Sequence, residues 1–118
     1  MVSALKNHPA ILAWDLKNEP DLDFDSRGKT KVLAWLKEMS LQIKTQDPNH
    51  LVTIGWSNTR SAHLLQENVD FISFHYYEKL NYFEEKYTEL QSKTHKALVL
   101  QEFGLASSRG LWLSLIHI

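Results

Sequence analysis

Two short strand-like segments of the sequence each carry a glutamate near their end: Asp15-Leu16-Lys17-Asn18-Glu19-Pro20, and Leu98-Val99-Leu100-Gln101-Glu102-Phe103-Gly104. Cleavage of a glycosidic bond commonly uses two carboxyl groups that flank it, one protonating the leaving oxygen, the other attacking the sugar or activating a water. Two carboxylates about 5 Å apart at an effective dielectric of about 20 repel by roughly 3 kcal/mol. One of such a pair tends to keep its proton while the other is ionised, which gives similar side chains separate roles.

Other polar and aromatic residues gather at comparable positions. Asn18 precedes Glu19, Trp56 follows the apolar run Leu51 to Ile54, and His75 and Tyr77 follow the run Val69 to Phe74. Trp56 either stacks on a sugar ring or caps the core. Trp14 and Trp35 read as packing residues. The segment Asp21 to Asp25 begins like a calcium loop, but that motif needs glycine where Ser26 stands and glutamate where Val32 stands. It reads as an acidic, solvated loop at the mouth of the site. His50, His63 and His95 lack metal-ligand spacing, and no metal or cofactor is expected.

The elements that position these residues follow from periodicity. Met1 to Lys6 reads as the last turn of a helix closed by Asn7-His8-Pro9. Ala10 to Leu16 is an apolar run of the kind buried on both faces in parallel sheets. In the segment Lys29 to Thr45, Val32, Leu36, Met39 and Ile43 mark one face of an amphipathic helix. Leu51 to Ile54 predicts a second strand, Ser57 to Leu65 a short helix, and Val69 to Phe74 a third strand. Leu80 to Thr94 has helical spacing again, and Ala97 to Leu100 predicts a fourth strand. Alternating strands and helices without hairpin turns imply parallel strands joined by right-handed crossovers. That leaves a doubly wound sheet or part of a (β/α)8 barrel. Polar residues at all four strand ends, with no Gly-rich phosphate loop, favour the barrel.

The chain has 118 residues, enough for one domain. A formal net charge of -1 offers no basic field for nucleic acid, and no apolar stretch approaches a membrane-spanning length. With Cys 0, disulfides and thiolate metal sites are excluded.

Three pieces together resemble clan A of the glycoside hydrolases, and within it the cellulase-type family five. They are Trp14-Asp15-Leu16-Lys17-Asn18-Glu19-Pro20, Asp70-Phe71-Ile72-Ser73-Phe74-His75-Tyr76-Tyr77, and Gln101-Glu102-Phe103-Gly104. The resemblance implies an α/β fold, a partial (β/α)8 TIM barrel of four parallel strands with connecting helices, corresponding to the fourth through seventh. It implies Glu19 as general acid/base and Glu102 as nucleophile of a retaining double displacement. By the same resemblance Asn18 bonds the 2-hydroxyl of the sugar, Tyr77 contacts the nucleophile, and His75 positions the sugar. The substrate implied is an oligo- or polysaccharide, β-1,4-glucan or β-mannan. An exo-acting β-glycosidase and a catalytically silent carbohydrate-binding piece are the alternatives.

A complete barrel needs about 250 residues, so the chain reads as a fragment, inactive alone. Residues 1–110 read as the partial catalytic domain and 111–118 as a non-native or unstructured tail. Unpaired sheet edges invite self-association. The parent enzyme is expected to be secreted or periplasmic.

Overall fold

A computed structural model describes residues 1–106 and 112–116. After a short helix α1 (Val2–Leu5), the order is β1 (Ala13–Asn18), α2 (Lys29–Gln46), β2 (Leu51–Trp56), β3 (Ile72–Tyr76), α3 (Phe83–Gln91), β4 (Leu98–Ala106) and β5 (Trp112–Ile116). The strands lie side by side in chain order, β1 to β4 parallel and β5 antiparallel to β4. In a doubly wound sheet the order reverses at a switch point and helices cover both faces. Here the order never reverses. Val32 and Leu36 of α2 and Leu90 of α3 join Ile54, Trp56, Ile72, Phe74 and Tyr76 in one core on one side of the sheet. Sequential parallel strands with helices on one face form a sector of a (β/α)8 TIM barrel.

Strand alternation sorts the remaining residues onto the other, open face. Side chains point alternately to opposite faces, so Thr53, Gly55, Ser73 and His75 stand opposite the core positions Ile54, Trp56, Phe74 and Tyr76. The open face is tiered. At the amino ends of the strands Leu12, Leu51, Phe71, Ala97 and Val99 line an apolar hollow of about 270 Å³. Above it lie Asp15, Ser73 and Gln101, and at the carboxyl ends His75 and the two glutamates.

Two register irregularities interrupt the ladders, and each directly precedes a glutamate. Asp15 pairs with Thr53, but Asn18 pairs with Gly55, so β1 has an extra residue before Glu19. Phe74 pairs with Leu100 and His75 with Glu102, which leaves Gln101 as the extra residue of β4. A bulge re-aims the side chains beside it. In β4 it lets the successive residues Gln101 and Glu102 both reach the open face.

The segment Ser57 to Leu65, expected to be a helix, is instead a series of turns leading to a 3-10 turn at Gln66–Asn68. Asn58 Oδ1 accepts from the backbone of Arg60 and Ser61 at 2.9 and 3.1 Å, and Leu65 adopts a left-handed backbone with φ 55°. Side-chain bonding to nearby backbone of this kind competes with helix formation. Between Leu80 and Thr94 the helix proper is shorter than its spacing suggests, opening with a 3-10 turn at Leu80–Tyr82 and ending at Gln91. Of the stretch 111–118, residues 111, 117 and 118 lie outside the described residues, and the rest forms β5.

Candidate active site

Glu19 stands immediately after β1 with φ 47° and ψ 52°, a left-handed conformation uncommon for a side chain bearing a Cβ. Such a residue persists when its surroundings hold it. Its N–H donates to Gly55 O at 2.6 Å, its carbonyl accepts from Leu22 N at 3.2 Å, and Pro20 behind it is buried. The following loop is fastened to the end of β2. Asp21 accepts from Ser57 N at 3.0 Å, Ser57 Oγ at 2.7 Å and Asn58 Nδ2 at 2.8 Å. The acidic loop is therefore not simply solvated: Asp21 joins two strand ends. The polar pair Ser57-Asn58 straight after β2 is the signal that marks its partners.

At the centre is His75 of β3, fully buried, with Nδ1 at 2.9 Å from Glu19 Oε1 and 3.5 Å from Glu102 Oε2. Tyr77 donates its hydroxyl to Glu102 Oε2 at 2.7 Å, and its ring meets that of His75 edge-on at 6.5 Å between centroids. Both glutamate side chains keep 24% of their surface exposed, enough to reach a bound molecule. One oxygen of each glutamate and a ring nitrogen of His75 lie within 4.8 Å of one another. That spacing suits two carboxyl groups acting on one bond, and it is also within the reach of a cation. Tyr77 occupies one lone pair of Glu102 Oε2, and the other lone pair and Oε1 remain for a bound molecule.

Thus Glu19, His75, Tyr77 and Glu102 come together. Asn18 sits one residue before Glu19, exposed, in register with Gly55. Trp56 does not join them. It is 1% exposed, lies on the helix-covered face and packs against Phe24 with ring centroids 6.4 Å apart. Of the two roles open to it, core packing is the one it fills: its position in β2 differs by one from Gly55, and a one-residue step changes the face.

Beneath the glutamates lies a polar tier that strand ends alone do not reveal. Gln101 Nε2 donates to Asp15 Oδ2 at 2.9 Å, Ser73 Oγ donates to Gln101 Oε1 at 2.5 Å, and Asp15 Oδ1 accepts from Gly55 N at 3.0 Å. The four strands are laced together just below the site. A Cβ on Gly55 would lie 2.7 Å from Asp15 Oδ2 and 2.9 Å from Gln101 Oε1, so only glycine fits without displacing them.

A second polar junction braces the opposite side of β1. Asp47, at the end of α2 and wholly buried, accepts from Trp14 Nε1 at 2.8 Å, contacts His50 Nδ1 at 2.7 Å and accepts from the backbone of Asn49 and His50. Burial pushes its carboxyl up, but the hydrogen bonds from Trp14 and His50 outweigh that and hold it below the ordinary carboxylate value. Trp14 thus packs where expected, with an indole N–H anchored to a helix end.

Known proteins resemble this chain over most of its length. The family described as "GH family 5 beta-mannosidase-like" matches residues 2–89. The chain is 30% identical over 142 aligned residues to "Putative mannan endo-1,4-beta-mannosidase P" of Arabidopsis thaliana, covering 88% of this chain and 35% of that protein. It is 41% identical over 73 residues to "Mannan endo-1,4-beta-mannosidase 8" of Oryza sativa subsp. japonica, covering 59% and 19%. With "Mannan endo-1,4-beta-mannosidase 3" of Arabidopsis thaliana it shares 44% identity over 50 residues, covering 42% and 12%. No solved structure matches. The chain spans about a third of the length of the first curated relatives it matches. Sequential parallel strands, helices on one face, carboxyl groups converging at the strand ends and the family match lead to one statement: the chain belongs to the GH family 5 beta-mannosidase-like family.

Proposed function

We propose that the chain carries the catalytic pair of a retaining endo-acting β-1,4-mannan hydrolase. The observation that carries this reading is the approach of Glu19 and Glu102 oxygens to within 4.8 Å around His75. Carboxyl groups about 5 to 5.5 Å apart belong to retaining enzymes, in which one acid attacks the sugar; inverting enzymes need roughly 6.5 to 9.5 Å to admit a water. Glu102 is the nucleophile, its Oε2 oriented by the hydroxyl that Tyr77 donates at 2.7 Å. Glu19 is the acid that protonates the leaving oxygen and then the base that takes a proton from water. Asn18, exposed one residue before Glu19, holds the sugar over the pair, whereas His75, expected to position the sugar, is fully buried and acts through the two glutamates. The names of the relatives favour mannan over glucan.

The chain alone has little or no turnover, because four parallel strands supply only one side of a closed sugar site. The test has two arms. In the complete reading frame that contains this chain, the first product of β-1,4-manno-oligosaccharide cleavage is expected as the β anomer by NMR; the α anomer would overturn retention. The purified 118-residue chain is expected not to release reducing sugar from soluble mannan or β-glucan. Release that disappears in Glu102→Ala would overturn the inactivity of the isolated chain.

A further inference from the structure

The polar tier below the glutamates has an effect on the acid above it. His75 Nε2 is buried and has no hydrogen-bond partner among the described residues. It faces a gap that exists because residue 55 is glycine. The point where a Cβ would stand is 3.4 Å from Nε2, 2.7 Å from Asp15 Oδ2 and 2.9 Å from Gln101 Oε1. Both oxygens are acceptors. The Gln101 amide cannot turn its nitrogen toward the ring, because that nitrogen donates to Asp15 and the oxygen receives the Ser73 hydroxyl. The surroundings of Nε2 therefore offer acceptors to a buried nitrogen, and a buried nitrogen is stabilised when it presents a proton to acceptors, directly or through one water.

We infer that Asp15, Gln101 and Ser73 are positioning residues that hold the His75 proton on Nε2 and so leave Nδ1 as an acceptor for the proton of Glu19. A neutral imidazole carries one N–H and one lone pair. With the N–H on the lower side, the 2.9 Å contact between Nδ1 and Glu19 Oε1 is a hydrogen bond only if Glu19 supplies the hydrogen. The charged or titratable groups facing the ring are Glu19, Glu102, Tyr77 and, across the gap, Asp15. When the leaving oxygen takes the proton from Glu19, the carboxylate left behind faces a lone pair, which makes it a better base for the water of the second step. This deepens the proposed function and rests on it for its catalytic consequence. The location of the proton stands apart from that reading.

The experiment follows both. Two-bond 1H–15N correlation spectra of the complete polypeptide, with His75 identified by comparison with His75→Gln, are expected to show the Nε2–H tautomer at neutral pH. A proton on Nδ1, in the neutral ring or the cation, overturns the inference even if the enzyme hydrolyses mannan as proposed. Gln101→Met is expected to shift the ring toward the Nδ1–H tautomer. It should slow cleavage of unactivated manno-oligosaccharide about tenfold, the size of one lost hydrogen bond. A dinitrophenyl β-mannoside, whose leaving group needs no acid, should be affected far less. Equal slowing of both substrates, or an unchanged tautomer, overturns it.

Discussion

At the residue scale, the site is a histidine between two acids, and each neighbour has a separable job. Removing the Tyr77 hydroxyl takes one donor from Glu102. A hydrogen bond to a charged group contributes about 1.5 to 3 kcal/mol, so Tyr77→Phe should lower kcat by roughly ten- to a hundredfold, measured by steady-state hydrolysis of a manno-oligosaccharide. Glu19→Gln should lower kcat on the same substrate by about 10² to 10⁴ while sparing activated aryl glycosides. Gly55 makes its contribution by having no side chain. The Gly55→Ala methyl would meet Asp15 and Gln101 at under 3 Å, and overpacking of this kind destabilises by about 1 to 3 kcal/mol, a loss that urea unfolding would register.

At the scale of elements, β1 is held from both sides. Asp21 ties its outgoing loop to the end of β2, and Asp47 ties Trp14 to the end of α2. Asp70 adds a third junction: burial pushes its carboxyl up, but Lys44 and the Val52 N–H together hold it below the ordinary value. A carboxyl depressed in the folded state stabilises the fold in full above its unfolded value, about 3.9 for aspartate, and that contribution is lost as pH falls through the lower folded value. Acid unfolding should therefore steepen below about pH 4. Asp47→Asn should flatten that dependence while lowering stability at neutral pH, as read from thermal melts across pH. Much of this scale was legible beforehand. Val32, Leu36 and Ile43 are buried along α2 as their spacing predicts, and all four parallel strands form. Ser57 to Leu65 was not, because Asn58 satisfies two backbone N–H groups locally and removes the advantage of continuing a helix.

At the scale of the whole molecule, no helix or strand among the described residues covers the open face of the sheet. The radius of gyration is 15.2 Å, against about 13.5 Å for a closed domain of this length. Leu12 is 76% exposed and Val99 41%, both at the apolar end of the open face. Parallel strands normally bury both faces, and β1 also presents an edge unpaired among the described residues. We propose that the isolated chain self-associates through this face and edge. Sedimentation velocity should show concentration-dependent association, which Val99→Glu weakens; a monomer at all concentrations would refute it.

The sequence by itself determined which residues carry chemistry and in what order they arrive, because strand and helix periods and the three short motifs are local properties. It could show that Glu19 and Glu102 each follow an apolar strand. Only the tertiary structure decided which residues share a face with them. An extra residue in β1 and another in β4 shift the ladder just before each glutamate, and that shift depends on pairing with β2 and β3, which no single segment encodes. The same pairing turned Trp56 into the core, raised Gln101, Asp15 and Ser73 from unremarked strand residues to a linked tier, and placed His75 between the two acids.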